Sequence, residues 1–187
     1  MHITKLMKNQ LVLPAMLFGA ILLFGGCDKI KEVEMDKTVN MEFTVDIGPD
    51  DPLTLDLSAA FEFATGDLEE YKDQIKSYKV KEIRYKIWEF YTDEPGEDAI
   101  LNGQLGIGKK TAAAPGVTYT MTDLSLLTNN DNPAHTPMNF SSANVQKIEQ
   151  YLLDSNGLKL FLTGDVSSAP VHFKLQVVAD VTAVVEK

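Results

Sequence analysis

Glycine, lysine and threonine cluster once in this chain, at Gly103-Gln104-Leu105-Gly106-Ile107-Gly108-Lys109-Lys110-Thr111. The order approaches a phosphate-binding loop, Gly-x4-Gly-Lys-Ser/Thr, in which backbone amides cradle phosphate and the hydroxyl after the lysine holds magnesium. Lys110 stands where that hydroxyl belongs, and Thr111 follows one residue late. The glycines also sit inside an alternating strand pattern. Ala112-Ala113-Ala114-Pro115 cannot continue as the helix that the loop must lead into. Nucleotide chemistry is set aside, and the glycines are read as room for twist or close sheet packing.

Other reactive residue types are scattered. Neither His135 nor His172 lies at His-x3-His or Glu-x-x-His spacing, so no zinc site is expected from local ligands. No Gly-x-Ser-x-Gly elbow offers a nucleophile. Acidic groups at Asp50-Asp51, at Glu94 with Glu97-Asp98, and around Asp131 miss the calcium-loop pattern. From Asp154 the required glycine would fall at Lys159. A carboxylate pair for glycoside hydrolysis is defined by distance in space, so sequence neither supplies nor removes one. The aromatic group Trp88, Phe90 and Tyr91 has a further use, since such residues stack on sugar rings or anchor protein partners. Burial beneath a helix is its alternative. With Asp131 and His135, these three are the candidate binding residues; no catalytic residue, metal or cofactor is expected.

The elements that would position them read mostly as strands. Val39, Met41, Phe43, Val45 and Ile47 alternate with polar residues, as do Leu53 to Phe63 after the turn Gly48–Pro52. The pair reads as a hairpin. Asp67 and Glu70 have capping-box spacing, and Leu68, Tyr71, Ile75 and Tyr78 follow at helical intervals, predicting about three turns. Strand alternation returns from Val80 and slips phase at Ile87-Trp88, which a bulge would produce. Strands 101–107 and 117–121 follow, and then the polar stretch Leu127–Asn139, which matches neither period. Ser141 or Ser142 caps a second helix whose stripe is Val145, Ile148 and Leu152 and whose stop is Asn156-Gly157. Strands 158–162 and 171–185 close the chain, and the last is on the order of 50 Å long if straight. The expected fold is mainly β: an antiparallel two-sheet sandwich of about seven strands with two short helices, with a barrel under helical lids as alternative.

Lys5 and Lys8 precede an apolar run, Leu11 to Phe24, followed by Gly25, Gly26 and the single cysteine, Cys27. Positive, apolar and small is the layout of a secretory signal, and the run is too short to span a bilayer comfortably. Phe24-Gly25-Gly26-Cys27 resembles the lipobox of bacterial lipoproteins, whose cysteine is acylated after cleavage. The resemblance covers residues 1–27. It implies a signal peptide 1–26, a lipidated Cys27 with charged tether to residue 38, and one β-rich domain, 39–187. Without Lys5 and Lys8 the net charge of −10 becomes about −12, against nucleic acid as partner. The expectation is a membrane-anchored, Bacteroidota-like envelope lipoprotein at the outer membrane, a non-catalytic binding or assembly module. Its partners would be the membrane through acylated Cys27, and an envelope protein or glycan. An envelope hydrolase and a carrier of an apolar ligand are the alternatives.

Overall fold

A computed structural model describes residues 32–186. The signal segment, the lipobox and Cys27 lie outside the described residues. The fold is the expected two-sheet sandwich with no closed barrel. One sheet has the order β1-β8-β3-β6 and the other β2-β7-β4-β5. In the first, β8 (Val171–Glu186) is central, antiparallel to β1 (Glu32–Ile47) on one side and to β3 (Ile75–Thr92) on the other. β6 (Thr136–Pro137) extends it by a two-residue pairing with Arg84 and Tyr85. In the second, β7 (Gly157–Val166) lies between β2 (Thr54–Glu62) and β4 (Ile100–Lys109), with β5 (Val117–Ser125) at the edge.

The core fills the space between the sheets. Met41, Phe43, Val45, Ile83, Ile87, Phe173, Leu175 and Val177 from one meet Leu101, Leu105, Ile107, Leu160 and Leu162 from the other. A long strand such as β8 is accommodated by its partner: β3 carries register shifts at Ile75/Ser77, Val80/Glu82 and Trp88/Tyr91. At two of these shifts a helix side chain accepts the hydrogen bond of a β3 backbone N–H. Val80 N donates to Glu149 Oε1 at 2.9 Å, and Phe90 N to Asn130 Oδ1 at 3.0 Å.

Several elements differ from the sequence reading. The 39–47 and 53–63 stretches are not a hairpin: β1 pairs with β8 and β2 with β7, so the chain crosses between sheets at Gly48–Leu53. Alternation sets which side faces the core but not which strand lies alongside. β1 also begins at Glu32, inside the stretch expected as tether. There its charged residues find partners on β3 and β8: Lys79 Nζ lies 2.8 Å from Glu34, and Lys81 Nζ 2.7 Å from Asp36. The expected helix near 67–78 is a 3-10 helix, Gly66–Gln74, whose N-cap Thr65 makes no side-chain bond; Ile75 and Tyr78 belong to β3. The stretch 127–139 holds a short helix, α1 (Leu126–Asp131), capped by Ser125 Oγ, and β6. The other helix, α2 (Ser142–Ser155), matches its sequence signals, with Ser141 as N-cap, Ile148 and Leu152 buried, and Asn156 left-handed at the end.

Candidate functional site

The outward face of the β1-β8-β3 sheet is built by the register of β8. Val171, Phe173, Leu175 and Val177 point inward, so His172, Lys174 and Gln176 point out. Opposite them on β3 stand Tyr91, Trp88 and Lys86. Trp88 and Tyr91 are three residues apart, which in a regular strand puts them on opposite faces. The bulge between them, with Glu89 at φ 51°, returns both to the outer face. Phe90 turns inward and packs against the core. The phase slip read at Ile87-Trp88 is therefore displaced: Trp88 pairs with Tyr91, not with Phe90.

Trp88 is half-buried beneath a cation, not beneath a helix. Lys174 Nζ lies 4.4 Å from the indole centroid, and Trp88 Nε1 donates to Glu42 Oε2 at 3.1 Å. Lys174 also pairs with Glu89 at 2.8 Å and reaches Glu42 at 3.9 Å. The hydrogen bond to Glu89 raises the lysine's pKa above its ordinary value. Tyr91 stacks on His172, with centroids 4.5 Å apart at 17°, yet the residue stays 60% exposed. His172 Nδ1 is sealed, has no hydrogen-bond partner, and lies 3.6 Å from Asp46 Oδ1.

Of the predicted residues, Trp88 and Tyr91 share the outer face, while Phe90 turns inward. His135 reaches over β3, its Nε2 3.1 Å from Gln176 Oε1. Asp131 ends α1, exposed, and accepts from Asn130 Nδ2 at 3.3 Å. Sequence reasoning missed Glu42, Asp46, Glu89 and Lys174, and gave His172 no role. The outward alternation of His172, Lys174 and Gln176 was the available signal, but their partners lie 41 to 132 residues away in sequence.

Further along the sheet the polar groups satisfy one another. Asp180 accepts from Thr38 Oγ1 at 2.5 Å and pairs with Arg84, which also meets Glu82 at 2.8 Å. Burial pushes the Asp180 carboxyl up, but the hydrogen bonds from Thr38 and Arg84 outweigh it and hold it below its ordinary value. Asp36 accepts from Thr182 Oγ1 at 2.6 Å as well as pairing with Lys81. The lysine bond is the larger cause of its lowered pKa. These long side chains reach across β8 and cover Val178, Thr182 and Val184, which explains why outward positions on that strand are buried.

The glycine-lysine stretch has a structural explanation. A Cβ on Gly106 would lie 2.5 Å from Pro115 Cβ, and one on Gly108 3.1 Å from Ala112 Cβ. The Ala112–Pro115 segment folds back over the strand and needs that room. Lys109 pairs with Asp154 and Lys110 with Glu62, so neither ammonium is open to phosphate. Among the described residues no group of three or more His, Cys, Asp or Glu is placed to hold a metal ion. Among them, too, no helix is long and apolar enough to cross a membrane.

No family model matches the sequence, and no curated protein matches it. Solved structures from three viruses are similar in outline. A Desmodium yellow mottle tymovirus chain matches at TM-score 0.40 and 11% identity, covering 100% of this chain and 97% of its own. A turnip yellow mosaic virus chain gives 0.36 and 11%, covering 84% and 95%. A mud crab tombus-like virus chain gives 0.30 and 9%, covering 97% and 94%. These neighbours are viral, and the expectation of a bacterial outer-membrane lipoprotein acting as a binding or assembly module finds no support among them. That reading, with its location and its hydrolase and carrier alternatives, is not carried forward. Likenesses this distant transfer no activity to the present chain.

Proposed function

We propose that this chain binds neutral carbohydrate at the Tyr91 end of the β1-β8-β3 sheet. The observation that supports the reading is the Tyr91 ring, stacked on His172 yet 60% exposed. A ring already held against a fixed neighbour loses little freedom when a pyranose lies on it. Asp46, 3.6 Å from His172 Nδ1, and Glu89, paired with Lys174, carry carboxylates that can accept from sugar hydroxyls. The nearby cation Lys174 is engaged by Glu89, Glu42 and the Trp88 ring, which argues for a neutral ligand over an anionic one.

Titration with neutral oligosaccharides, cello-, xylo-, malto- and laminari-tetraose, tests this. The fluorescence of Trp88, the only tryptophan, reports the site. An aromatic stack contributes about 0.5–1.5 kcal/mol, so Tyr91→Ala weakens binding about two- to tenfold. A panel that leaves Trp88 unmoved, or a Tyr91→Ala variant that binds as well as the parent, overturns the reading.

A further inference from the structure

One ring nitrogen on the outer face of the β1-β8-β3 sheet is shut off from solvent and from the rest of the chain at once. His172 Nδ1 is sealed and, among the described residues, has no hydrogen-bond partner. Bulk solvent does not reach it to complete the missing bond, as it does for an exposed hydroxyl. A neutral imidazole presents there either a lone pair with no donor or an N–H with no acceptor. Either is costly when buried.

The strand register places the group that can complete it. Asp46 on β1 and Tyr91 on β3 stand opposite His172, one on each side. Asp46 Oδ1 is 3.6 Å from Nδ1, just beyond the reach of a good hydrogen bond. The Asp46 side chain is 82% exposed and engages no other group among the described residues, so it is free to swing. The imidazole is not: it is 15% exposed and stacked 4.5 Å from the Tyr91 ring. Lys174 on β8 and Glu89 on β3, the other charged groups on this part of the face, pair with each other. Glu42 on β1 is taken up by Trp88 and Lys174. Asp46 is thus the counter-charge open to an imidazolium at this position.

We infer that His172 and Asp46 form a latch that a proton closes. Imidazole changes charge between pH 8 and 5, and once protonated both of its nitrogens are donors. Nδ1–H then needs an acceptor, and Asp46 swings in to make a charge-assisted bond. The new positive charge also lies against the face of the Tyr91 ring and attracts it. Closed, the latch ties β1 to the ring on which Tyr91 rests and fixes that aromatic surface. When the proton leaves, the carboxylate is released and packing alone holds the stack. The device goes beyond the carbohydrate reading and does not rest on it, since no ligand takes part.

NMR of the full chain without ligand, at pH 8 and at pH 5.5, tests the latch. The expected result is that the Asp46 carboxyl carbon and the Tyr91 ring protons move together between the two. His172→Gln abolishes the movement of Asp46. His135→Gln, which removes the other imidazole on this sheet, leaves it in place. A proton signal from Nδ1–H, held against exchange by its acceptor, is present at pH 5.5 and lost at pH 8. Asp46→Asn, a substitution at an exposed side chain that leaves the core untouched, loses that signal at pH 5.5 as well. An Asp46 carboxyl that stays still between the two pH values overturns the inference, as does a movement that survives His172→Gln. An Nδ1–H signal that persists in Asp46→Asn also overturns it, because burial and not the carboxylate would then be protecting the proton.

Discussion

Tyr78 offers a sharp test of how the core is built. The residue is 2% exposed and its hydroxyl has no hydrogen-bond partner. Burial pushes its pKa up to about 12 from an ordinary value of 10.0. Leaving a buried hydroxyl unpaired costs about 1–3 kcal/mol, partly offset by the packing of the atom itself. Tyr78→Phe keeps the ring and removes the orphan, so at pH 7 the variant is about 1 kcal/mol more stable than the parent. The alkaline limb makes the larger claim. Between pH 10 and 12 the unfolded chain ionises this tyrosine while the folded chain keeps its proton. Folded protein then binds more protons than unfolded, so stability falls as pH rises. It is fully present below pH 10 and lost toward the folded value. Two pKa units correspond to about 2.7 kcal/mol of stability that the parent loses and the variant keeps. Urea unfolding followed by Trp88 fluorescence at pH 7, 9, 10 and 11 measures the difference, about half of which is reached by pH 11. A variant less stable at pH 7, or alkaline limbs that run parallel, would refute both the orphan hydroxyl and its burial.

Two further substitutions probe the elements that position the sites. Gly106→Ala drives a methyl against Pro115 and costs about 1–3 kcal/mol in thermal unfolding; an unchanged midpoint would mean that the Ala112–Pro115 segment does not lie over β4. Asp180→Asn removes the acceptor of Thr38 and the partner of Arg84. Because the folded carboxyl titrates below its ordinary value, its contribution is present above about pH 3.9 and lost as pH falls through the folded pKa. The variant is thus less stable than the parent at neutral pH, and acid unfolding curves converge; a gap that persists at pH 2 would locate the effect in packing.

Sequence made the sandwich and α2 legible because both depend on local periodicity. The two-residue alternation of 39–47 and 171–185 fixes which side chains enter the core, and Ser141 with Asn156-Gly157 frames the helix. What stayed hidden depends on pairing. β1 and β2 have equally good alternation whether they join each other or lie in different sheets, and only the structure shows that β8 takes the first and β7 the second. The charged stretch from Glu32 looked like a solvated segment because its stabilising partners, Lys79 and Lys81, lie far along the chain. The polar stretch 127–139 looked irregular for a related reason. Asn129 and Asn130 bond Ser125 O and Phe90 N, so part of its polar content is used within the fold.

The aromatic site shows how one irregularity decides a surface. A regular strand would send Tyr91 inward with Ile87 and leave Trp88 outside without a second ring. The bulge at Glu89 reverses this at the cost of a left-handed residue and a disrupted ladder, and Asn130 on α1 supplies the acceptor that the freed Phe90 N–H needs. α1 therefore does more than connect β5 to β6: it supports the geometry that turns Tyr91 outward onto His172. The same device recurs at Val80, where Glu149 of α2 accepts the N–H, but there the face outside is closed by ion pairs and no ring is presented. Two bulges supported alike thus give different surfaces, and the difference lies in the neighbours. At one, charged side chains reach across β8 and cover it. At the other, Lys174 is drawn toward Glu89 and Trp88, and Tyr91 is left open.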